Sequence, residues 1–457
     1  MLPPAFIQAM QTLLGQDYSA FEEALQQPPV VSIRYNSSKI DDGQQPKNLP
    51  VPWCKEACYL PQRPVFTLDP LLHAGGYYVQ EASSMLIAHI VRQLFTDPVT
   101  ALDLCAAPGG KTTLLANSLP HHSVVVANEA IRHRAQILCE NVTKWGNPNV
   151  IVCQNDPQDF VQVPPLFDLL LVDAPCSGEG LFRKDPSAQQ EWSIQNVALC
   201  AQRQRRILAN AWHCLREGGY LLYCTCTFNP QENEENVQWL MQNFDAQSVD
   251  VPSLEEFGAA SSASLNLSNT VNGYHCFPHR VRGEGFFAAV LRKQSGAEEH
   301  ARIVTKRTTN NSSSVADEIK NYLLQPQNFV WYESNDSIYA IPREAEQVLQ
   351  VLKKHLRFVK AARPIAVGKG NKWQPTIDLA LCANICKEAF VQQPLSLQDA
   401  RNYLSMKPIE SIVPSAKGIQ LMTYEGLPLG FINHLGTRYN SLFPPAWRIR
   451  MDAKECK

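Results

Sequence analysis

Apolar runs and amphipathic stretches alternate along the middle of the chain. Five short apolar runs are each followed by a polar loop or by a stretch with apolar residues at helical spacing. They predict strands at 100–104, 123–127, 149–153, 167–172 and 219–224, helices at 111–118, 130–144, 195–216 and 230–243, and one later strand at 283–293. This alternation is typical of an α/β domain with a mostly parallel sheet.

The flanking parts are less regular. Residues 1–27 have helical spacing, VVSIRY predicts a strand, and the Pro-, Gln- and Gly-rich stretch 41–64 predicts a loop. A long amphipathic helix is expected after GGYYVQ, and Asn229 with Pro230 gives a start signal for the helix at 230–243. The polar stretch 295–316 predicts a linker. Beyond it we expect strands at 338–341, 356–359 and 419–424, helices near 376–390 and 397–405, and two lobes.

Composition narrows the class of protein. The 457 residues are 45% hydrophobic and 18% charged, as in soluble globular proteins. The first residues do not match a signal peptide, no apolar run approaches the ~18 residues of a membrane span, and 14 cysteines spread through a large chain indicate a reducing cytosol. We therefore expect a cytoplasmic protein without membrane contact.

Charge is distributed unevenly although the net charge is only −2. Residues 301–457 contain 21 Lys and Arg against 13 Asp and Glu, whereas residues 1–300 contain 20 against 30. A basic end on an acidic body predicts a docking surface for a polyanion. The alternative is a chance asymmetry between two solvated surfaces.

The stretch ALDLCAAPGGKTT at 101–113 predicts a ligand-binding turn between a strand and a helix. Its glycines allow close backbone approach, and the helix start favours a carboxylate. A phosphate-binding P-loop is a poor match because Cys105 occupies the position of its first glycine. Glu129, Asp156 and Asp173 follow successive strands, where they could bind the ribose and adenine of a nucleoside-like cofactor. Each could instead be an ordinary helix cap.

Two cysteines lie just past strand ends, in DAPCSGEG and TCT. A thiolate suits addition to carbon 6 of cytosine, which lets carbon 5 accept a methyl group. Asp173 could stabilise that intermediate at ring nitrogen 3, and a base must remove the carbon 5 proton. Cys176 and Cys226 fit this scheme, although buried cysteines also serve as small hydrophobes. Cys54/Cys58 and Cys382/Cys386 leave a zinc site open, but they lack further ligands at zinc-finger spacing, so we expect no metal.

These stretches resemble motifs of the Nol/Nop/Sun family of RNA cytosine-5 methyltransferases. DLCAAPGGKTT is similar to its S-adenosylmethionine motif, DAPCSGEG to its proline-cysteine motif and TCT to its catalytic motif. SIRYNSSK, YYVQEASSML and GEGFFAAVLRK also match, so the resemblance covers about residues 1–293. GEGLFRK, FPHRVRGEGFF and YEGLPLGF resemble the bacterial ribosomal RNA branch of the family.

The resemblance implies roles at matching positions. Cys226 would attack cytosine, and Cys176 would assist proton removal and product release; in DNA cytosine methyltransferases the proline-cysteine residue attacks instead. Asp173 would contact cytosine near the cofactor, with Lys111 close to both. Glu129 would bind ribose and Asp156 would lie near adenine. The methionine part would be enclosed by Cys105, Ala106, Ala107, Pro108, Gly109, Gly110 and Lys111. Arg34 and Asn36 match an N-terminal motif.

The implied architecture is an α/β Rossmann-like methyltransferase domain with a small helical and mixed N-terminal RNA-binding region and a C-terminal PUA-like α+β domain. We expect these at 96–294, 1–95 and 317–457, with the linker at 295–316. The expected substrate is 16S ribosomal RNA or the small ribosomal subunit, methylated by a monomer. Transfer RNA as the substrate, or a non-catalytic role in ribosome assembly, are the alternatives.

Overall fold

The computed structural model describes residues 2–41, 49–295, 315–370, 372–411 and 417–451. Most of the predicted linker at 295–316 lies outside these residues. The N-terminal region combines two helices with a small antiparallel sheet in the order β2-β3-β1-β4. Its elements are α1 Pro4–Leu14, α2 Tyr18–Gln26, β1 Val31–Tyr35, β2 Pro50–Val51, β3 Cys54–Leu60, α3 Pro70–His73, β4 Tyr77–Val79 and α4 Leu86–Leu94.

The loop predicted for 41–64 is therefore wrong over 50–60, where β2 and β3 form. The prolines and glutamines of this stretch favoured a loop prediction, but every residue from 56 to 59 is buried in the structure. The long helix expected after GGYYVQ is also shorter than predicted, because β4 and a 3₁₀ turn precede α4. The helices α1 and α2 pack Phe6, Met10 and Phe21 against a cluster that includes Phe182 and Phe228.

The central sheet has the predicted strand and helix alternation. Its elements are β5 Thr100–Asp103, α5 Gly110–Ser118, β6 Val124–Asn128, α6 Arg132–Trp145, β7 Val150–Cys153, β8 Phe167–Asp173, α7 Pro186–Glu191, α8 Ile194–Trp212, β9 Leu215–Thr225, α9 Glu234–Asn243, β10 Ala246–Val249, α10 Ser253–Glu256, β11 Ala260–Ser261, β12 Gly273–Cys276 and β13 Phe286–Lys293. The strands β5 to β9 pair in parallel, in the spatial order β7-β6-β5-β8-β9, while β10 to β13 pair antiparallel beyond β9. The parallel part is thus the core of a mixed sheet.

This order places a topological switch between β5 and β8, where ligands bind in open α/β sheets. Both faces of the parallel strands are covered, which explains their continuous apolar runs. Helices α4, α5 and α6 contribute to the core on one face, and α8 and α9 contribute on the other. The α/β Rossmann-like prediction is confirmed.

The start predicted for the helix at 230–243, which is α9 in the structure, is wrong. Asn229 and Pro230 form a turn, in which Asn233 donates its N–H to the Asn229 carbonyl at 3.2 Å, and α9 begins only at Glu234. The turn directs Glu232 into the protein, where its carboxylate accepts hydrogen bonds from Ser177. Burial of this side chain decided the local conformation over the capping signal.

The C-terminal region contains two four-stranded sheets, β14-β15-β17-β18 and β19-β20-β21-β22. Their elements are α11 Asp317–Lys320, β14 Phe329–Ser334, β15 Ser337–Pro342, α12 Arg343–Leu352, β16 Phe358–Lys360, β17 Arg363–Lys369, β18 Lys372–Pro375, α13 Ile377–Ala380, β19 Val391–Pro394, α14 Leu397–Leu404, β20 Gly418–Tyr424, β21 Leu427–His434 and β22 Tyr439–Ser441. The helix predicted near 376–390 is only the short α13 and a later 3₁₀ turn.

One C-terminal strand joins the central sheet. β16 pairs antiparallel with β7, with Phe358 opposite Cys153. The second C-terminal sheet also shares a hydrophobic core with the N-terminal sheet. The C-terminal region is therefore integrated with the rest of the protein.

Candidate active site

The turn between β5 and α5 is held from outside by its neighbours. The Pro108 carbonyl accepts hydrogen bonds from Asn141 Nδ2 at 2.8 Å and from the Tyr78 hydroxyl at 3.3 Å. Gly109 has a φ of 112°, which a side chain rarely tolerates, and a Cβ there would lie 3.2 Å from Leu138. The turn formed by Cys105, Ala106, Ala107, Pro108, Gly109 and Gly110 is therefore fixed by its neighbours and carries no side chain at its two glycines.

Asp103, which the sequence reasoning missed, lies at the end of β5 beneath this turn. Its side chain is fully buried, and Oδ2 accepts a hydrogen bond from the Thr112 hydroxyl at 2.6 Å. Oδ1 is buried without a partner among the described residues. Burial raises the pKa of Asp103 to about 7. The D of ALDLC was the available signal, since it ends the first strand of the parallel core.

Glu129 and Asp156 follow the neighbouring strands β6 and β7, as predicted. Glu129 Oε1 accepts a hydrogen bond from the N–H of Ile131 at 3.0 Å, and Oε2 lies 3.5 Å from Arg134. Asp156 accepts a hydrogen bond from the N–H of Gln158 at 3.0 Å and forms a capping box. Both carboxylates are thus at the ligand-binding edge of the sheet, and Asp156 also has the capping role that the sequence left open.

Lys111 and Asp173 meet across the topological switch. Lys111 lies in the first turn of α5, Asp173 ends β8, and their side chains form an ion pair of 2.7 Å. Burial alone would lower the pKa of Lys111, but the attraction and hydrogen bond of Asp173 outweigh it and hold the pKa above its usual range. The lysine is therefore protonated throughout the neutral range.

The two strand-end cysteines also meet. β8 and β9 pair in parallel with Asp173 opposite Cys224, so the loops that carry Cys176 and Cys226 leave the same edge. The two sulfur atoms are 3.1 Å apart, well beyond the ~2.05 Å of a disulfide. The hydrogen bond with Cys226 is the largest cause that raises the pKa of Cys176, and burial and the Glu232 carboxylate add to it.

Arg34 and Asn36 lie beneath the site and have structural contacts. Arg34 is buried, donates hydrogen bonds to the Gly110 carbonyl at 3.2 Å and the Thr113 hydroxyl at 2.7 Å, and its guanidinium lies over the Trp145 ring. Asn36 donates hydrogen bonds to the carbonyls of Gly75 and Trp145. These two residues hold the N-terminal sheet against α5 and α6.

The remaining cysteine pairs show no metal geometry. Cys54 and Cys58 are buried on β3, and Cys382 and Cys386 lie near α13. The described residues contain no group of three or more His, Cys, Asp or Glu side chains placed to hold a metal ion. Within the same part of the chain, no helix combines the length and the apolar character that a membrane crossing requires.

Three family models match successive parts of the chain. Residues 2–82 match the N-terminal domain of 16S rRNA methyltransferase RsmF. Residues 95–292 match the 16S rRNA methyltransferase RsmB/F model, and residues 391–449 match the methyltransferase RsmF PUA domain. The last range covers the β19 to β22 sheet.

Whole-length relatives are similar to the chain as well. The ribosomal RNA small subunit methyltransferase F of Salmonella heidelberg is 32% identical over 97% of this chain and 95% of its own length. The protein of the same name from Salmonella typhi has the same identity and coverage.

Solved structures share the fold of about two thirds of the chain. A methyltransferase homolog protein from Pyrococcus horikoshii is 28% identical, with a TM-score of 0.54 over 63% of this chain and 94% of its own. NSun6 from the same organism, solved with SFG, is 21% identical, with a TM-score of 0.54 over 64% of this chain and 98% of its own.

Proposed function

The chain belongs to the ribosomal RNA small subunit methyltransferase F family, and on that premise we propose that it methylates carbon 5 of cytosine in 16S ribosomal RNA. The family establishes a methyltransferase that acts on ribosomal RNA. The choice of base, the atom methylated and the covalent mechanism are our inferences from the site.

One observation carries the proposal. Two cysteines from different strand-end loops converge to 3.1 Å, and Lys111 and Asp173 form an ion pair at the adjacent strand ends. Carbon 5 of cytosine is a weak nucleophile until a thiolate adds to carbon 6. A second thiol beside the first can serve the later proton removal. Methylation of a base oxygen or an exocyclic amine would need neither cysteine.

We assign the steps as follows. The Cys226 thiolate forms a bond to carbon 6, while Lys111 donates a hydrogen bond to the polar edge of the ring and the Asp173 carboxylate accepts one from it. Carbon 5 would then take the methyl group that bound S-adenosylmethionine supplies from its sulfur, with S-adenosylhomocysteine as the leaving group. Cys176 assists by accepting the carbon 5 proton on its thiolate, and the electrons of that C–H bond restore the double bond between carbons 5 and 6. The bond between the Cys226 sulfur and carbon 6 breaks, and 5-methylcytosine leaves with the Cys226 thiolate restored. The similarity of TCT to the family's catalytic motif supports Cys226 as the nucleophile.

The residues at the sheet edge fit S-adenosylmethionine. When bound, this group supplies an electrophilic methyl group on sulfur. The turn from Cys105 to Gly110 would enclose the methionine part, and the unpartnered, buried Oδ1 of Asp103 is an acceptor suited to an ammonium group nearby. Glu129 would accept hydrogen bonds from the ribose hydroxyls, with Asp156 near adenine.

The C-terminal region would dock the RNA. Residues 301–457 carry the excess of Lys and Arg, and the PUA match falls in this region. We keep 1–95, 96–294 and 317–457 as the proposed regions and propose a monomer. The pairing of β16 with β7 attaches the 317–457 region to the central sheet.

Bisulfite sequencing of ribosomal and transfer RNA from a deletion strain tests the proposal. We expect loss of protection at one or more 16S cytosines, restored by the wild-type gene and not by Cys226→Ala. Loss of protection only in transfer RNA would transfer the activity to that substrate. Unchanged protection in both RNAs would contradict cytosine-5 methylation.

A further inference from the structure

Two buried glutamates connect the loops that carry the cysteines, and each binds the backbone of the loop to which it does not belong. Glu179, in the loop of Cys176, accepts a hydrogen bond from the N–H of Phe228 at 2.9 Å. Glu232, which follows Cys226, accepts one from the N–H of Ser177 at 3.0 Å. The contacts are therefore reciprocal across the two loops.

Further hydrogen bonds join the same loops. The hydroxyls of Ser177 and Thr227 are 3.0 Å apart, and the Ser177 hydroxyl also donates to Glu232. The N–H of Gly180 donates to the Cys226 carbonyl at 2.8 Å. A Cβ on Gly180 would lie 2.9 Å from that same carbonyl, so the backbones pack directly against each other next to the nucleophile.

The donors to both carboxylates are neutral groups. Glu179 accepts from a backbone N–H and from Trp192 Nε1 at 3.0 Å, and Glu232 accepts from Ser177 and from Gln204 Nε2 at 2.8 Å. Both side chains are almost fully buried. Burial of a carboxylate without a cation is costly, so stability alone is a poor reason for two of them at this place.

We propose that Glu179 and Glu232 are positioning residues, which fix the two cysteine loops against each other and so set the distance between the reacting thiols. Glu232 has a second effect, because its negative charge faces Cys176 and makes the Cys176 thiolate a stronger acceptor for the carbon 5 proton. This inference rests on the proposed roles of Cys176 and Cys226.

The electrostatic surroundings agree with this arrangement. Burial raises the pKa of Glu179 to about 7 and also raises that of Glu232, although hydrogen bonds from Ser177, Gln204 and Thr227 oppose the latter. The titratable groups that face Cys176 are Cys226, Glu232 and Tyr223.

The test compares Glu179→Gln and Glu232→Gln with Glu235→Gln, a control at an exposed position on α9. We expect kcat to fall about 10²-fold in the first two variants, as for misplaced reacting groups. The KM for RNA and the affinity for S-adenosylmethionine should stay unchanged. Alkylation by iodoacetamide, mapped by peptide mass, should shift to lower pH at Cys176 in Glu232→Gln, because loss of the negative charge favours the thiolate. The control should match the wild type.

Unchanged kcat and alkylation in folded variants would overturn the proposal. If thermal stability and cofactor affinity fell together while the pH dependence of Cys176 alkylation stayed the same, both glutamates would have only a structural role. That result would also overturn the proposal. If Glu232→Gln does not fold, Ser177→Ala replaces it, and a wild-type kcat there has the same meaning. The alkylation measurement uses no RNA, so it distinguishes failure of this inference from failure of the proposed cytosine chemistry.

Discussion

The two ends of the candidate site differ in how their polar groups are held. At the cysteine end, the side chains bind one another across two loops, as in the 3.1 Å contact of Cys176 with Cys226. At the cofactor end, Glu129 and Asp156 bind backbone N–H groups close in sequence and lie near arginines. Asp156 is 47% exposed in its side chain. The proposed reacting groups are therefore held by one another, whereas Asp156 is open to solvent and the contacts of the buried Glu129 carboxylate are local.

The difference lies in what the buried carboxylates contact, because Asp103 and Glu129 are buried as well. Desolvated carboxylates at the cysteine end fix geometry for chemistry, and preorganised groups of this kind need no rearrangement during the reaction. If Glu129 and Asp156 bind the cofactor as proposed, each would exchange a local contact for the ligand. Substitutions at the two ends should accordingly affect different kinetic constants.

Among substitutions other than those of the two cysteines, the largest effect is expected for Lys111→Met, which removes the cation of the 2.7 Å pair with Asp173. We expect kcat to fall about 10²–10³-fold, as for loss of one preorganised donor, with RNA affinity retained. Methyl transfer from radiolabelled S-adenosylmethionine measures this. Lys55→Met, at a 72% exposed side chain, is the control. A wild-type kcat in folded Lys111→Met would exclude a part for the pair in the reaction.

A smaller effect, on the dissociation constant for S-adenosylmethionine and not on kcat, is expected for Glu129→Ala. Loss of a charged acceptor for two hydroxyls should weaken S-adenosylmethionine binding by roughly 1.5–3 kcal/mol. Calorimetry on the folded variant measures this, with Glu191→Ala at the exposed end of α7 as the control. Equal affinities for the two variants would remove Glu129 from the cofactor site.

The smallest effect is expected for substitutions remote from both ends. Arg448 and Arg450 are exposed in the basic C-terminal region. Replacing both by Ala should weaken RNA binding a few-fold and reduce the salt slope by about 1 for each lost phosphate contact, with cofactor affinity unchanged. Filter binding at several salt concentrations checks this. An identical slope would argue against RNA docking by these two arginines.

The sequence predicted the parallel core and the convergence of Lys111, Asp173, Cys176 and Cys226 at one edge, because apolar strand runs and strand-end loops are local signals. It did not predict β2 and β3, whose pairing is decided by burial against the rest of the protein. Nor did it predict Asp103, although the D of ALDLC was an available signal, or Glu179 and Glu232, which are recognisable only by their burial in the structure. Glu232 fell within the helix predicted at 230–243, and its inward contacts with Ser177 explain why that helix begins later.

The assignment of the two cysteines is the central claim, and a denaturing gel with substrate RNA and S-adenosylmethionine tests it most directly. If Cys226 attacks carbon 6 and Cys176 only helps to resolve the adduct, Cys176→Ala should stall, since positioned acid–base help contributes about 10²–10⁴ in rate. A slowly migrating protein–RNA band should then appear for Cys176→Ala and be absent for Cys226→Ala. The reverse pattern would make Cys176 the nucleophile, and full activity of both variants without any band would contradict covalent catalysis.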